Sequence, residues 1–153
     1  MENIKIEKAK IEHTNYIYNN IKSCADDMAK QGMFHWIPYY EKKCIEEDIK
    51  SKEVYIVKIN NSIVGNFILT VKDEGIYLGK LTILPEYSGK GIGTRCLTFI
   101  EKYAQEKAIR LINLDVYEKS IKAINFYKKN GYKIIGEKPT RRFKVKLMQK
   151  ELR

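Results

Sequence analysis

Three glycines within five residues stand in the stretch Ile83-Leu84-Pro85-Glu86-Tyr87-Ser88-Gly89-Lys90-Gly91-Ile92-Gly93-Thr94. It lies between an apolar, strand-like run (Ile76 to Leu84) and a run of helical spacing (Thr94 to Ala108). Gly89, Gly91 and Gly93 at such a junction leave the first N–H groups of the helix unobstructed. Unpaired donors and the helix dipole together favour a phosphate there. Lys90, inside the loop, adds a mobile positive charge. Ordering glycines so closely is costly unless close backbone approach is used, and a glycine-rich turn without a ligand is the plainer alternative. Spacing speaks against the two common nucleotide loops. No Lys-Ser or Lys-Thr follows the last glycine, and the pattern is G-x-G-x-G in mid-chain rather than G-x-G-x-x-G after a first strand.

A second group lies in Ala123-Ile124-Asn125-Phe126-Tyr127-Lys128-Lys129-Asn130-Gly131-Tyr132. The Tyr127 phenol could donate a proton to a leaving group, or its ring could extend an apolar helix stripe with Ile124. A third is the aromatic stretch Met33 to Tyr40, where His35 and Trp36 could line a site for an ammonium group. The competing reading tucks Phe34 and Trp36 into the core. Cys24, Cys44 and Cys96 are scattered and odd in number, which argues against a disulfide framework or a zinc site. Two histidines, His13 and His35, are too few and too separated for a typical metal cluster, so no metal is expected. Glu74, Asp26, Asp27 and Glu41 could approach a site as general bases, but each reads individually as a solvated charge, and no base is assigned.

The glycine loop resembles the acetyl-CoA motif of the GCN5-related N-acetyltransferases, [QR]-x-x-G-x-[GA] after a strand ending V-x-P. Ile83-Leu84-Pro85 matches the strand end, and Gly91 and Gly93 match the two small positions. Ser88 stands where the family usually has Gln or Arg. The segment Ala123 to Tyr132 is similar to the family's A-I-x-F-Y-x-x-x-G-[FY] helix, and Met148-Gln149-Lys150-Glu151-Leu152 to a common family ending. The resemblance runs from about Ile76 to Leu152 and is weaker before that. It implies an α/β (mixed α+β) acyl-CoA N-acyltransferase fold, with a central mixed, mostly antiparallel sheet flanked by helices. It further implies acetyl-CoA as donor, with Ser88, Gly89, Lys90, Gly91, Ile92, Gly93 and Thr94 around the pyrophosphate. Main-chain groups of Leu81, Thr82 and Ile83 would hold the thioester carbonyl and pantetheine where their strand splays from the next. Tyr127 would protonate the departing thiolate. Ser120 stands where many relatives place a cofactor-contacting Asn; it could make a shorter contact or serve only as an N-cap, and Asn125 could substitute. The acceptor would be a small-molecule amine or a peptide amine attacking directly in a ternary complex, and the resemblance leaves room for a homodimer. A non-catalytic CoA-binding domain on the same fold is the alternative.

The elements that must position these groups can be read from periodicity. At 153 residues the chain is expected to be one domain, residues 1–153. Its 44% hydrophobic and 31% charged content is that of a soluble globular protein. Lysines produce the formal net charge of +10 but are spread along the chain without a block of five or six. Nucleic-acid binding is therefore the weakest reading, and part of the charge would attract CoA phosphates. No apolar run approaches 18 residues and the N-terminus lacks a signal profile, so no membrane partner and a cytoplasmic location are expected. Ile4, Ile6, Ala9 and Ile11 suggest a strand. Thr14 suits the N-cap of a helix stopped by Gly32, and a short helix is expected over Tyr40 to Ile49. Two strands, 54–59 and 63–70, flank the turn Asn60-Asn61. A strand to Pro85, the helix after the glycines, a parallel strand 111–116, a helix after Ser120 stopped at Asn130-Gly131, and a last strand around Phe143, Val145 and Leu147 complete the order β-α-α-β-β-β-α-β-α-β-β.

Overall fold

A computed structural model describes residues 3–153. Its strands are β1 (Ile4–Lys8), β2 (Glu53–Ile59), β3 (Ser62–Lys72), β4 (Gly75–Ile83), β5 (Leu111–Tyr117), β6 (Lys133–Pro139) and β7 (Lys144–Glu151). The helices are α1 (Thr14–Lys30), α2 (Lys42–Ser51), α3 (Ile92–Glu106) and α4 (Ile121–Lys129), with 3-10 turns at Ile11–His13 and Pro85–Tyr87. The strands form one sheet in the order β1-β2-β3-β4-β5-β7-β6. Every pairing is antiparallel except β4 with β5. This is the mixed, mostly antiparallel sheet flanked by helices that the sequence resemblance implies.

Alternation within β2 and β3 sorts the helices onto two faces, because successive side chains point to opposite sides of a strand. Val54, Ile56 and Ile68 pack with Ile17 and Ile21 of α1 and Ile45 of α2. Tyr55, Val57, Phe67 and Leu69 pack with Ile92, Cys96, Leu97 and Ile100 of α3 and Ile124 of α4. The sheet centre is buried on both faces, so β2 and β3 read as near-continuous apolar runs.

The Asn60 turn adopts the expected left-handed conformation (φ 57°), and Gly131 (φ 93°) follows the C-cap Asn130 of α4. Several boundaries differ from expectation. Strand β1 ends at Lys8, and Ile11 is 43% exposed in the 3-10 turn that follows. Thr14 is the first helical residue rather than the N-cap; its hydroxyl donates backwards to the Ile11 carbonyl at 2.6 Å. Helix α2 starts at Lys42. Helix α3 starts at Ile92 rather than Thr94 and ends at Glu106, with Ala108 already left-handed (φ 56°).

Candidate active site

Strand β4 departs from regularity where the chemistry is expected. Parallel pairing with β5 covers only Gly75–Tyr77 against Leu111–Asn113, so the remaining length of the two strands diverges. On its other side β4 pairs with β3, and the register shifts between Asn66, opposite Thr82, and Ile68, opposite Gly79. The extra β4 residue is a bulge carrying Lys80 at φ 49°. A left-handed non-glycine costs roughly 1 kcal/mol, and a buried polar network holds it. Asn66, fully buried, donates to the Lys80 carbonyl at 3.1 Å and to Thr82 Oγ1 at 2.8 Å. Thr82 donates in turn to the Lys80 carbonyl at 2.7 Å, and Asn20 of α1 donates to Asn66 Oδ1 at 3.4 Å. Cys24 of α1 donates its thiol to the Ile83 carbonyl at 3.2 Å. Leu81, Thr82 and Ile83 thus lie on a strand segment detached from β5 and clamped from α1. Asn20, Asn66 and Cys24 were missed in the sequence, because an asparagine in a strand and a cysteine in a helix carry no marker of a partner far away in the chain.

The glycine loop resolves into two functions. Gly89 and Gly91 have φ of 75° and 81°, and a Cβ on either would meet open space. Gly93 lies in the first turn of α3, where a Cβ would come within 2.9 Å of Phe126 Cζ. It is a packing glycine between α3 and α4. Gly91 is the N-cap of α3, with no side-chain cap and no acidic residue in the first turn. The leading N–H groups of Ile92, Gly93 and Thr94 are thereby left without a side-chain cap. Lys90 is exposed with its ammonium 5.6 Å from the Tyr87 ring, and Arg95, a cation the sequence reading passed over, is exposed in the same turn. Ser88 is exposed, and its hydroxyl donates to the Pro85 carbonyl at 2.9 Å, so it closes the preceding turn.

Tyr127 joins the cluster that also takes Leu81, Ile83 and Val116. Its ring meets Phe126 and Tyr132 edge-on at 5.2 and 5.6 Å. Burial, with the neighbouring Cys96, raises its pKa above the ordinary phenol value. The group therefore stays protonated at neutral pH and can only give a proton. Burial also pushes Cys24 and Cys96 up to about 12, which removes two of the three thiols as neutral-pH nucleophiles. Ser120 occupies the N-cap position of α4, yet its hydroxyl makes no capping bond and points to Met33 Sδ at 3.5 Å. Asn125 is on the exposed face of α4.

The stretch between α1 and α2 crosses the divergence of β4 and β5. His35 stacks on Tyr117 of β5 at 4.4 Å, and Trp36 lies under the ammonium of Lys80 of β4, 4.9 Å from the ring centroid. Trp36 packs against the α1–α2 core, whereas Phe34 is 55% exposed and does not tuck in as one reading expected. A pocket of about 170 Å³ opens here, lined by His35, Trp36, Tyr39, Tyr40 and Lys80 among others. Burial, then Lys80 and Arg142, lowers the His35 pKa to about 4, and its Nδ1 is buried without a partner among the described residues. Burial also lowers the Lys80 pKa, opposed by Asp115 and Asp48. Of the carboxylates considered as bases, Asp26 pairs with Lys22 and accepts from Tyr39, and Asp27 accepts from Gln31. Glu74 sits in the β3–β4 turn, at the far end of β4, while Glu41 borders the pocket. Asp115 on β5, overlooked in the sequence, accepts a hydrogen bond from Tyr77 of β4 across the opening. No group of three or more His, Cys, Asp or Glu that could hold a metal occurs among the described residues. No helix there is long and apolar enough to cross a membrane.

A family model described as the acetyltransferase (GNAT) family matches residues 18–132. An uncharacterized N-acetyltransferase of Methanocaldococcus jannaschii is 27% identical over 104 residues, 63% of this chain and 45% of that protein. The thialysine N-epsilon-acetyltransferase of Mus musculus is 32% identical over 64 residues, 42% of this chain and 38% of that protein. The chain therefore spans less than half the length of these curated relatives. Among solved structures, the PaiA N-acetyltransferase of Thermoplasma acidophilum, in complex with coenzyme A, superposes with a TM-score of 0.82 over 97% of this chain and 99% of that one. At 24% identity that likeness speaks to the fold.

Proposed function

Because the chain belongs to the acetyltransferase (GNAT) family, we propose that it is a single-domain N-acetyltransferase that moves an acetyl group from acetyl-CoA to a primary amine by direct attack. The observation that carries this reading is the divergence of β4 from β5 after three paired residues, beside the uncapped start of α3. That arrangement suits a long thioester ligand with a phosphorylated end, and the open space over Gly89 and Gly91 admits it. When bound, acetyl-CoA supplies an activated acyl group as a thioester.

Backbone N–H groups from Gly89 to Thr94, with Lys90 beside them, hold the pyrophosphate; the Ser88 hydroxyl keeps its turn-closing role. Main-chain groups of Leu81, Thr82 and Ile83 hold the acyl carbonyl, where they stabilise the charge that grows on its oxygen. The attacking amine forms a C–N bond, the C–S bond breaks, and Tyr127 gives its phenolic proton to the departing sulfur. Its raised pKa keeps Tyr127 protonated beforehand and makes it the weaker acid. The transfer therefore depends on close placement against the sulfur as the C–S bond breaks, and the phenolate then regains a proton from water. The amine loses its own proton to water. Ser120 stands at the N-cap position of α4 without a side-chain capping bond and Asn125 on its exposed face, and neither is assigned a cofactor contact. His35 and Trp36 border the acceptor side.

The test is calorimetry with acetyl-CoA followed by thiol release against a panel of amines. Saturable binding, release that depends on the amine, and no acetylated protein by mass spectrometry after incubation with acetyl-CoA alone are expected. Binding without release for any amine would favour the non-catalytic CoA-binding reading, and a stable acetyl-protein would overturn direct attack.

A further inference from the structure

The aromatic stretch that could have received an ammonium already holds one. Lys80 Nζ lies 4.9 Å from the Trp36 centroid and 5.0 Å from that of Tyr40, so two π faces take the cation of the protein itself. An ammonium has three donors and no acceptor, and among the described residues none of the three meets an oxygen. Two nearby carboxylates are engaged elsewhere: Asp48 accepts from Tyr40 at 2.5 Å and pairs with Lys52 at 3.3 Å, and Asp115 accepts from Tyr77. Glu41 also lines the pocket, but among the described residues it forms no ion pair with Lys80. A partly buried ammonium calls for an oxygen partner, since an unmade hydrogen bond from a charged group is expensive. Arg142 adds a second cation near His35, its guanidinium donating to the Ile37 carbonyl at 2.5 Å.

The pocket at this point is small. About 170 Å³ is well below the volume of drug-sized ligand sites, and it admits a group of a few heavy atoms. Lys80 immediately precedes Leu81, Thr82 and Ile83 in the strand, so the pocket and the segment assigned to the acyl carbonyl are built on the same stretch of β4.

We propose that this pocket takes a carboxylate of the acceptor, with Lys80 as its counter-ion, so that the enzyme acetylates small amines bearing an acid group and disfavours polyamines and amino sugars. The proposal rests on the acetyl-transfer reading above for the word acceptor. A second positive charge brought beside Lys80 would meet repulsion in a partly desolvated site, whereas a carboxylate completes its hydrogen bonding.

The experiment uses Trp36, the single tryptophan of the chain, as an internal reporter. The full protein, saturated with CoA, is titrated with N-acetyl-L-alanine and, separately, with N-acetyl-L-alaninamide. A saturable change in Trp36 emission is expected for the acid at roughly tenfold or more lower concentration than for the amide, the weight of one charge-assisted hydrogen bond. Lys80→Met is expected to abolish that preference and Lys80→Arg to keep most of it, with thermal melts verifying that both fold. Equal response to acid and amide, no saturable response to the acid, or an undiminished preference in Lys80→Met would overturn the proposal. In parallel, thiol release is measured with L-alanine, L-alaninamide and spermidine. Turnover that favours spermidine or the amide overturns the carboxylate pocket and leaves acetyl transfer standing. Acid-selective binding without release from any amine overturns acetyl transfer and leaves the pocket standing.

Discussion

Gly65 offers a sharp test of how β4 is held. It sits on β3 opposite Ile83, and a Cβ there would lie 2.4 Å from the Thr82 carbonyl oxygen and 2.9 Å from Ile83 Cδ1. Ordinary contacts begin near 3.4 Å, so Gly65→Ala requires a shift of about 1 Å in a backbone oxygen. Its φ lies outside the left-handed region, so the substitution carries no conformational strain of its own. Overpacking of this kind costs about 1–3 kcal/mol. Stiffening of the unfolded chain returns about 0.4–1 kcal/mol. The balance is a loss of about 1–2 kcal/mol by these two figures. At roughly 2–4 °C per kcal/mol for a chain of this size, Tm falls by several degrees. The shift lands on Thr82 and Ile83, so acetyl-CoA binding measured by calorimetry should weaken by roughly tenfold or more, since sub-ångström placement governs such contacts. Gly136→Ala is the control: its Cβ would meet Leu147 Cδ1 at an ordinary 3.7 Å, and both readouts should stay near wild type. If Gly65→Ala behaves like Gly136→Ala, the close clamp of β3 on the β4 segment is wrong.

Tyr127→Phe should leave acetyl-CoA affinity within twofold or so while thiol release drops by roughly a hundredfold, the usual weight of a positioned acid; an unchanged release rate would remove the residue from the proton path. Gly91→Val forces a β-branched residue to φ 81°, at a cost of about 1–2 kcal/mol. Calorimetry should show at least roughly tenfold weaker binding of acetyl-CoA, and retention of full affinity would refute the loop assignment. His35 is held neutral down to about 4, below the ordinary 6.5 of the unfolded chain. The unfolded state therefore takes up the proton first as pH falls, and stability should decline from about pH 6.5 to about 4. The urea midpoint of His35→Phe should be flatter across that window, and parallel curves for the two proteins would show that His35 is not the group responsible.

The fold was readable because its signals are local. Asn60-Asn61 names its turn, Asn130-Gly131 its helix stop, and the apolar spacing of Leu97, Ile100 and Ala104 its helix, each within a few residues. The left-handed backbone of the glycine loop was readable for the same reason, since Gly89 and Gly91 announce it by type. Gly93 was grouped with them although its neighbour is Phe126, more than thirty positions along the chain. Thr14 was misplaced because a threonine hydroxyl serves equally as a cap or as a donor to a carbonyl three residues back. The pocket beside β4 was least legible. Lys80 reads as one more lysine in a chain with 29 Lys and Arg, and its meeting with Trp36 depends on two elements that only the sheet brings together.

That meeting follows from the bulge. Before it, Ile76 and Leu78 face α3; after it, Leu81 and Ile83 pack on that side. Gly79 pairs with Ile68, so an uninterrupted register would set Lys80 opposite Phe67, in the apolar cluster under α3. A lysine there would be buried without a counter-ion, at a cost of several kcal/mol. One extra residue changes the face that each later side chain takes. It turns Lys80 onto Trp36 and Tyr40 on the opposite side and keeps Leu81 and Ile83 in the core. Asn66 is then required in an otherwise apolar region, because the bulge frees backbone groups that nothing else in the core can satisfy. A polar side chain in the middle of β3, a left-handed lysine in β4 and a cation over the only tryptophan are three consequences of a single register change. The same change separates the strand segment assigned to the acyl carbonyl from the side chain proposed to select the acceptor.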